Sequence, residues 1–117
     1  MPDGHLIYRR GEIRWVNLDP TVGPQAKKIR ACVIVQNNVG NRHSLLTVVM
    51  PLLQGTKNAP YVVNVKATPV NGLDRDRYID VGQIRAIDSS RILELVGVLE
   101  DQYWKSLQAA LNVVLGF

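Results

Sequence analysis

A chain of 117 residues has room for one domain around one core, and two domains would each be too small to stand alone. Its composition, 46% apolar and 21% charged, is that of an ordinary globular protein, and no apolar run approaches the roughly 20 residues that cross a bilayer, so a membrane role is set aside. The net charge of +4 is unevenly spread, with residues 1–66 at +6 and the remainder at −2, a basic half that suits a polyanionic partner, although charge alone more often marks a solvated surface.

The opening Met1-Pro2-Asp3-Gly4-His5 lacks the basic-then-apolar pattern of a leader, and a cytoplasmic location is expected. Gly11 to Leu18 reads as a first strand that stops at Asp19-Pro20, because proline donates no hydrogen bond and restricts the residue before it. Thr21 to Ile29 is a basic loop. Arg30 to Gln36 is apolar after its first residue and predicts a strand covered on both faces. The lone Cys32 lies inside that run and reads as a small buried hydrophobe. Asn37 to Arg42 is turn chemistry.

A third strand spans about Leu45 to Leu53, with Pro51 marking an edge or a bulge. Tyr61 to Val65 is a fourth, and Pro69 to Arg77 a polar connection. Tyr78 to Ile87 is a further strand region, Asp88 to Arg91 a capped single turn, and Leu93 to Leu99 the last strand. The helix is C-terminal: Asp101 is placed to cap it, and Trp104, Leu107, Leu111 and Val114 share one face. Short strands followed by one helix predict a mainly β fold, a small bent barrel whose closure removes most sheet edges.

Two stretches resemble the MazF/PemK/Kid toxin family. Arg10-Gly11-Glu12-Ile13 through Leu18-Asp19-Pro20-Thr21-Val22-Gly23 is similar to the family's opening motif. Gln36-Asn37-Asn38-Val39-Gly40-Asn41-Arg42, with Gln83-Ile84-Arg85-Ala86-Ile87-Asp88 downstream, follows the family in order and interval. The resemblance spans nearly the whole chain, 1–117, as a single toxin domain. It implies an SH3-like barrel of the PemK/CcdB-like type and a homodimer with single-stranded RNA in the groove between protomers. It also implies cleavage without a metal or cofactor, and inhibition by a cognate antitoxin. The sequence carries only His5, His43 and Cys32, with no closely spaced carboxylate–histidine set for a metal.

The catalytic loop of the family reads G-x-E-Q-x-x-x-R-P, with a Thr or Ser at the end of the third strand. Here the loop reads Gly23-Pro24-Gln25-Ala26-Lys27-Lys28-Ile29-Arg30-Ala31. Arg30 matches the family arginine and is expected to hold the phosphate through two parallel donors. Gln25, Lys27 and Lys28 are the expected RNA contacts of this loop, and Gln83 and Arg85 share one face of a strand facing the groove. The hydroxyl position falls on Leu53, and Thr56 is the nearest hydroxyl, so Thr56 joins Arg30 as the second candidate catalytic residue. Two other readings stand beside the ribonuclease. One is an eroded scaffold that binds antitoxin or RNA without cutting, and the other a CcdB-like toxin directed at DNA gyrase. Trp15 and Trp104 read as core or interface packing, Asn41 and Arg42 as turn-forming, and His43 as lacking an acid to orient it.

Overall fold

The computed structural model describes residues 7–18 and 28–117. Strand β3 (Leu46–Gln54) organises it, because it pairs along both edges. On one edge it pairs with β2 (Ile29–Ile34), with Cys32 opposite Pro51 and Ile34 opposite Val49. On the other edge it pairs first with β6 (Arg85–Asp88) through Leu46 to Val49, then with β5 (Arg77–Asp80) through Leu52 to Gln54. Two strands can share that edge because a 3₁₀ turn, Val81–Gln83, separates them. Met50 and Pro51 fall at the break, where a proline without an N–H costs the ladder nothing.

From β3 the antiparallel sheet runs outward through β2 to β1 (Glu12–Asn17) and β7 (Ile92–Val98), and through β5 to β4 (Val62–Val65). Register shifts between β1 and β7 at Ile13, Arg14 and Val16 bend this wing. Strand β2 is covered on both faces as expected: Ala31 and Val33 join one core with Ile13, Leu52 and Ile79, while Cys32 and Ile34 join another with Tyr8, Val16 and Ile87.

The chain departs from its sequence-based reading at four points. The region Tyr78 to Ile87 is two strands, not one, since the Asp80 side chain accepts the Gly82 amide and breaks the ladder into the 3₁₀ turn. Asn37 to Arg42 is more than a turn: Asn37 accepts from the Gly40 amide at 2.8 Å and starts α1 (Asn38–His43). Helix α2 (Trp104–Leu115) has no side-chain cap, because Asp101 lies inside a preceding 3₁₀ turn, Asp101–Tyr103.

Closure of the barrel-like sheet is the fourth. β4 and β7 do not pair. The turn after β4 takes the place of a ladder: the Val98 amide donates to the Val70 carbonyl at 3.0 Å. Gly97 lets this turn in, because a Cβ there would overlap the Asn71 backbone. Asn71, 0% exposed, holds the turn's shape by accepting the Thr68 and Leu73 amides and donating to the Lys66 carbonyl and Glu100. The expected capped turn at Asp88 is present as Ser89–Arg91, with Asp88 accepting the Ser90 amide at 2.8 Å.

Candidate functional site

β2 begins at one end of a cleft of about 330 Å³ that five segments build together. Leu18 comes from the end of β1, Lys28 and Arg30 from the start of β2, and Pro51 from the break in β3. Gln83 comes from the 3₁₀ turn and Arg85 from the start of β6. Among the described residues the lining holds three cations and no carboxylate. Arg14 pairs with Glu12, and Arg75 and Arg77 pair with Asp74, all outside this cleft. Arg30 and Arg85 line the cleft with no carboxylate among its described lining residues, an arrangement that favours a multiply charged anion.

Cys32 lies under this cleft, two residues along β2 from Arg30 and 0% exposed. Burial pushes its thiol up to about 12, against the opposing pull of the Arg85 and Arg30 charges. It is a neutral thiol packed in the second core, as the sequence suggests, and no nucleophile.

The expected site residues divide into three groups. Arg30, Lys28, Gln83 and Arg85 come together in the cleft, although 53 residues separate the Arg30 and Gln83 positions. Gln25 and Lys27 lie outside the described residues; the segment that carries them leaves from Leu18 and returns at Lys28, whose carbonyl accepts the Leu18 amide at 2.8 Å. Thr56 is exposed in the turn after β3 and is not among the cleft's lining residues. That turn is bracketed by Asn64, which bonds both the amide and the carbonyl of Lys57.

Continuing the register of Cys32 with Pro51 sets Leu53 opposite Arg30. Among the described residues no hydroxyl lines the cleft. Leu53 in turn pairs with Tyr78 of β5.

Other singled-out residues lie elsewhere. Asn41, 5% exposed, accepts from the Thr47 hydroxyl at 2.7 Å and the Gln36 amide at 3.0 Å, which ties α1 to β3. His43 is exposed at the end of α1. Trp15 packs against the first core and lines a separate hollow with Ala31, Leu73 and Arg77. Trp104 lies under the Arg10 guanidinium, 4.0 Å from ring centre to Cζ. It borders a larger apolar groove of about 720 Å³ with Val35, Met50, Ile84 and Leu111. Sequence reasoning missed Asp80, whose Oδ2 accepts from Gln83 Nε2 at 2.9 Å. Its signal was the Asp-x-Gly-Gln spacing, in which an aspartate readily accepts the amide two residues on.

Fold and site together define a small antiparallel β protein with one C-terminal helix and a cationic cleft whose described lining holds no acid. Residues 9–115 match the family described as "PemK-like, MazF-like toxin of type II toxin-antitoxin system". The chain is 29% identical over 111 residues to "Endoribonuclease EndoA" of Bacillus subtilis (strain 168), covering 94% of this chain and 96% of that one. It is 33% identical over 113 residues to "Endoribonuclease MazF" of Staphylococcus saprophyticus, covering 94% and 92%. A similar fold is that of an "Endoribonuclease in complex with its cognate antitoxin from Mycobacterial species", with a TM-score of 0.76 and 20% identity over 94% of this chain and 96% of that one. The chain belongs to the PemK-like, MazF-like toxins of type II toxin–antitoxin systems.

Among the described residues no helix is long and apolar enough to cross a membrane.

Proposed function

We propose that the protein is the toxin of a toxin–antitoxin pair, an endoribonuclease that cuts single-stranded messenger RNA in the cytoplasm at the Arg30 cleft, with no metal or cofactor. The single observation that carries this reading is the cleft itself: Lys28, Arg30 and Arg85 converge with no carboxylate among the described lining residues. The curated relatives are named endoribonucleases, which supports RNA as the polyanion.

Cleavage without a metal needs a 2′-hydroxyl stripped of its proton, a stabilised pentavalent phosphorane and a protonated 5′-oxygen leaving group. Arg30 supplies the second of these through paired N–H donors on the phosphate oxygens. Lys28 and Arg85, with Lys27 and Gln25 on the adjoining loop, hold the flanking strand. Thr56 is retained as the candidate hydroxyl, brought in by movement of its exposed turn. A homodimer extends the cleft across two copies, and the antitoxin silences the pair.

One observation favours a second reading. Leu53 opposite Arg30 places an aliphatic chain where the family carries a hydroxyl, and this suits a scaffold that binds RNA or antitoxin and cuts little.

The experiment is digestion of a long single-stranded RNA by the purified protein in EDTA beside Arg30→Ala. Cuts at defined sites by the unaltered protein alone support the ribonuclease. Intact RNA with a folded protein and retained RNA binding moves the conclusion to the second reading, and no RNA binding removes both RNA readings.

A further inference from the structure

Asp80 shapes the cleft without lining it. It ends β5, is 9% exposed, and commits its two oxygens to different partners. Oδ1 accepts from the Gly82 amide at 3.1 Å, which caps the 3₁₀ turn. Oδ2 accepts from Gln83 Nε2 at 2.9 Å. A carboxylate has no hydrogen to give, so only the nitrogen end of the Gln83 amide can face it. The two ends of an amide are nearly alike in shape, and such a partner is what decides between them. Gln83 Oε1 is therefore the free end of an amide that lines the cleft beside Arg30 and Arg85, and among the described residues no donor bonds it.

We infer that Asp80 is a specificity-positioning residue: it holds Gln83 so that the cleft presents a fixed acceptor to the purine C6 or pyrimidine C4 substituent of one base of the bound strand, which selects a base with an amino group at that position, adenine or cytosine, over one with a keto oxygen there, guanine or uracil. This rests on the RNA reading of the cleft. The cations position phosphates and carry no sequence information. A locked acceptor does, since a keto oxygen brought against Gln83 Oε1 sets two acceptors face to face, both stripped of water. Were the amide free to turn, it would satisfy either class of base.

A capping role alone uses only Oδ1, and one substitution separates the two roles. In Asp80→Asn the side-chain oxygen still accepts the Gly82 amide, while the new NH₂ faces Gln83. The Gln83 amide must then turn and present its N–H to the cleft, so the preference reverses toward keto bases. Asp80→Ala releases Gln83, and Gln83→Ala removes the reader; both flatten the preference.

The test uses a single-stranded RNA pool with randomised positions, sequenced in its bound and its cut fractions, for the unaltered protein and Asp80→Asn, Asp80→Ala, Gln83→Ala and Arg30→Ala. The expected result is one position enriched about tenfold for adenine and cytosine, a reversal in Asp80→Asn, and a profile flat to within about twofold in Asp80→Ala and Gln83→Ala. A merely structural role for Asp80 would lower all sequences together and reverse none. An Asp80→Asn profile unchanged from the unaltered protein overturns the inference; if that variant does not fold, an unchanged Gln83→Ala profile overturns it instead. RNA bound or cut with no base preference overturns the inference and leaves the RNA reading standing. RNA neither bound nor cut, as in Arg30→Ala, overturns both.

Discussion

Leu53 stands across the sheet from Arg30, one rung past the paired end of β2 and β3. The nearest paired rung below them joins Cys32 to Pro51, and Pro51 already lines the cleft. Side chains at alternate positions of a strand share a face, so residue 53 projects to the same side as Pro51 and Arg30. On the proposed reading, a hydroxyl at this position would reach toward a phosphate held by Arg30. We expect Leu53→Thr to raise the RNA cleavage rate by at least about tenfold with little change in RNA affinity, because a hydroxyl placed against developing charge acts on the transition state. Single-turnover rates beside equilibrium binding check this. An equal rate in both proteins would remove residue 53 from the chemistry.

Three cations with no acid among the described lining residues make a second expectation, about salt. Each cation that neutralises a phosphate of a single strand contributes about 0.7 to the slope of log affinity against log salt. Arg85→Ala and Lys28→Ala, both exposed side chains at the cleft rim, should each reduce that slope by about 0.7 while leaving the fold unchanged. Binding of a short single-stranded RNA titrated at four or five salt concentrations measures it. A slope unmoved by both would mean the strand runs elsewhere.

Much of this cleft was legible in the sequence, and the reason differs residue by residue. Arg30 and Lys28 fall on a motif that resembles a family, and Gln83 and Arg85 on another, so order and interval brought together residues that no local pattern links. The β2 run from Ala31 to Ile34 announced burial on both faces by being apolar without alternation. What stayed hidden depended on side chains meeting across the chain. Asp80 is an ordinary aspartate until its two oxygens are seen to split between Gly82 and Gln83. Closure by Asn71 and Gly97 was invisible for the same reason, since strand patterns forecast ladders and this seam is a turn held by one buried amide.

Cys32 offers a check on the floor of the cleft. With its thiol pushed up to about 12 by burial, the thiolate is scarce at any ordinary pH, and the side chain is covered. The folded protein should resist alkylation by iodoacetamide at pH 8 and react promptly in denaturant. Cys32→Ala should keep its RNA cleavage and lose roughly 1 kcal/mol of stability from the small cavity left behind. Cys32→Ser should cost more, because a buried hydroxyl brings a polar group that the second core cannot satisfy. Rapid labelling of the native state would contradict the packing described.

The seam between β4 and β7 predicts how stability responds to acid. Burial raises the Glu100 carboxyl, but hydrogen bonds from the Thr68 hydroxyl, at 2.6 Å, from its own backbone and from Asn71 outweigh it and hold the group below its ordinary value of 4.5. A lowered folded value means the unfolded chain binds the proton more readily, so stability rises with pH across this window. The contribution is complete above about pH 4.5 and is lost as pH falls through the lower folded value. Chemical denaturation from pH 7 to pH 3 should therefore give a steeper acid limb for the unaltered protein than for Glu100→Gln, with the two curves converging at the acid end. Asn71→Ala removes the amide that both strands of the seam depend on, leaves the Thr68 and Leu73 amides without their acceptor, and should cost about 2–3 kcal/mol at pH 7. If Glu100→Gln instead ran parallel to the unaltered protein down to pH 3, its carboxylate would not be what holds the turn against β7.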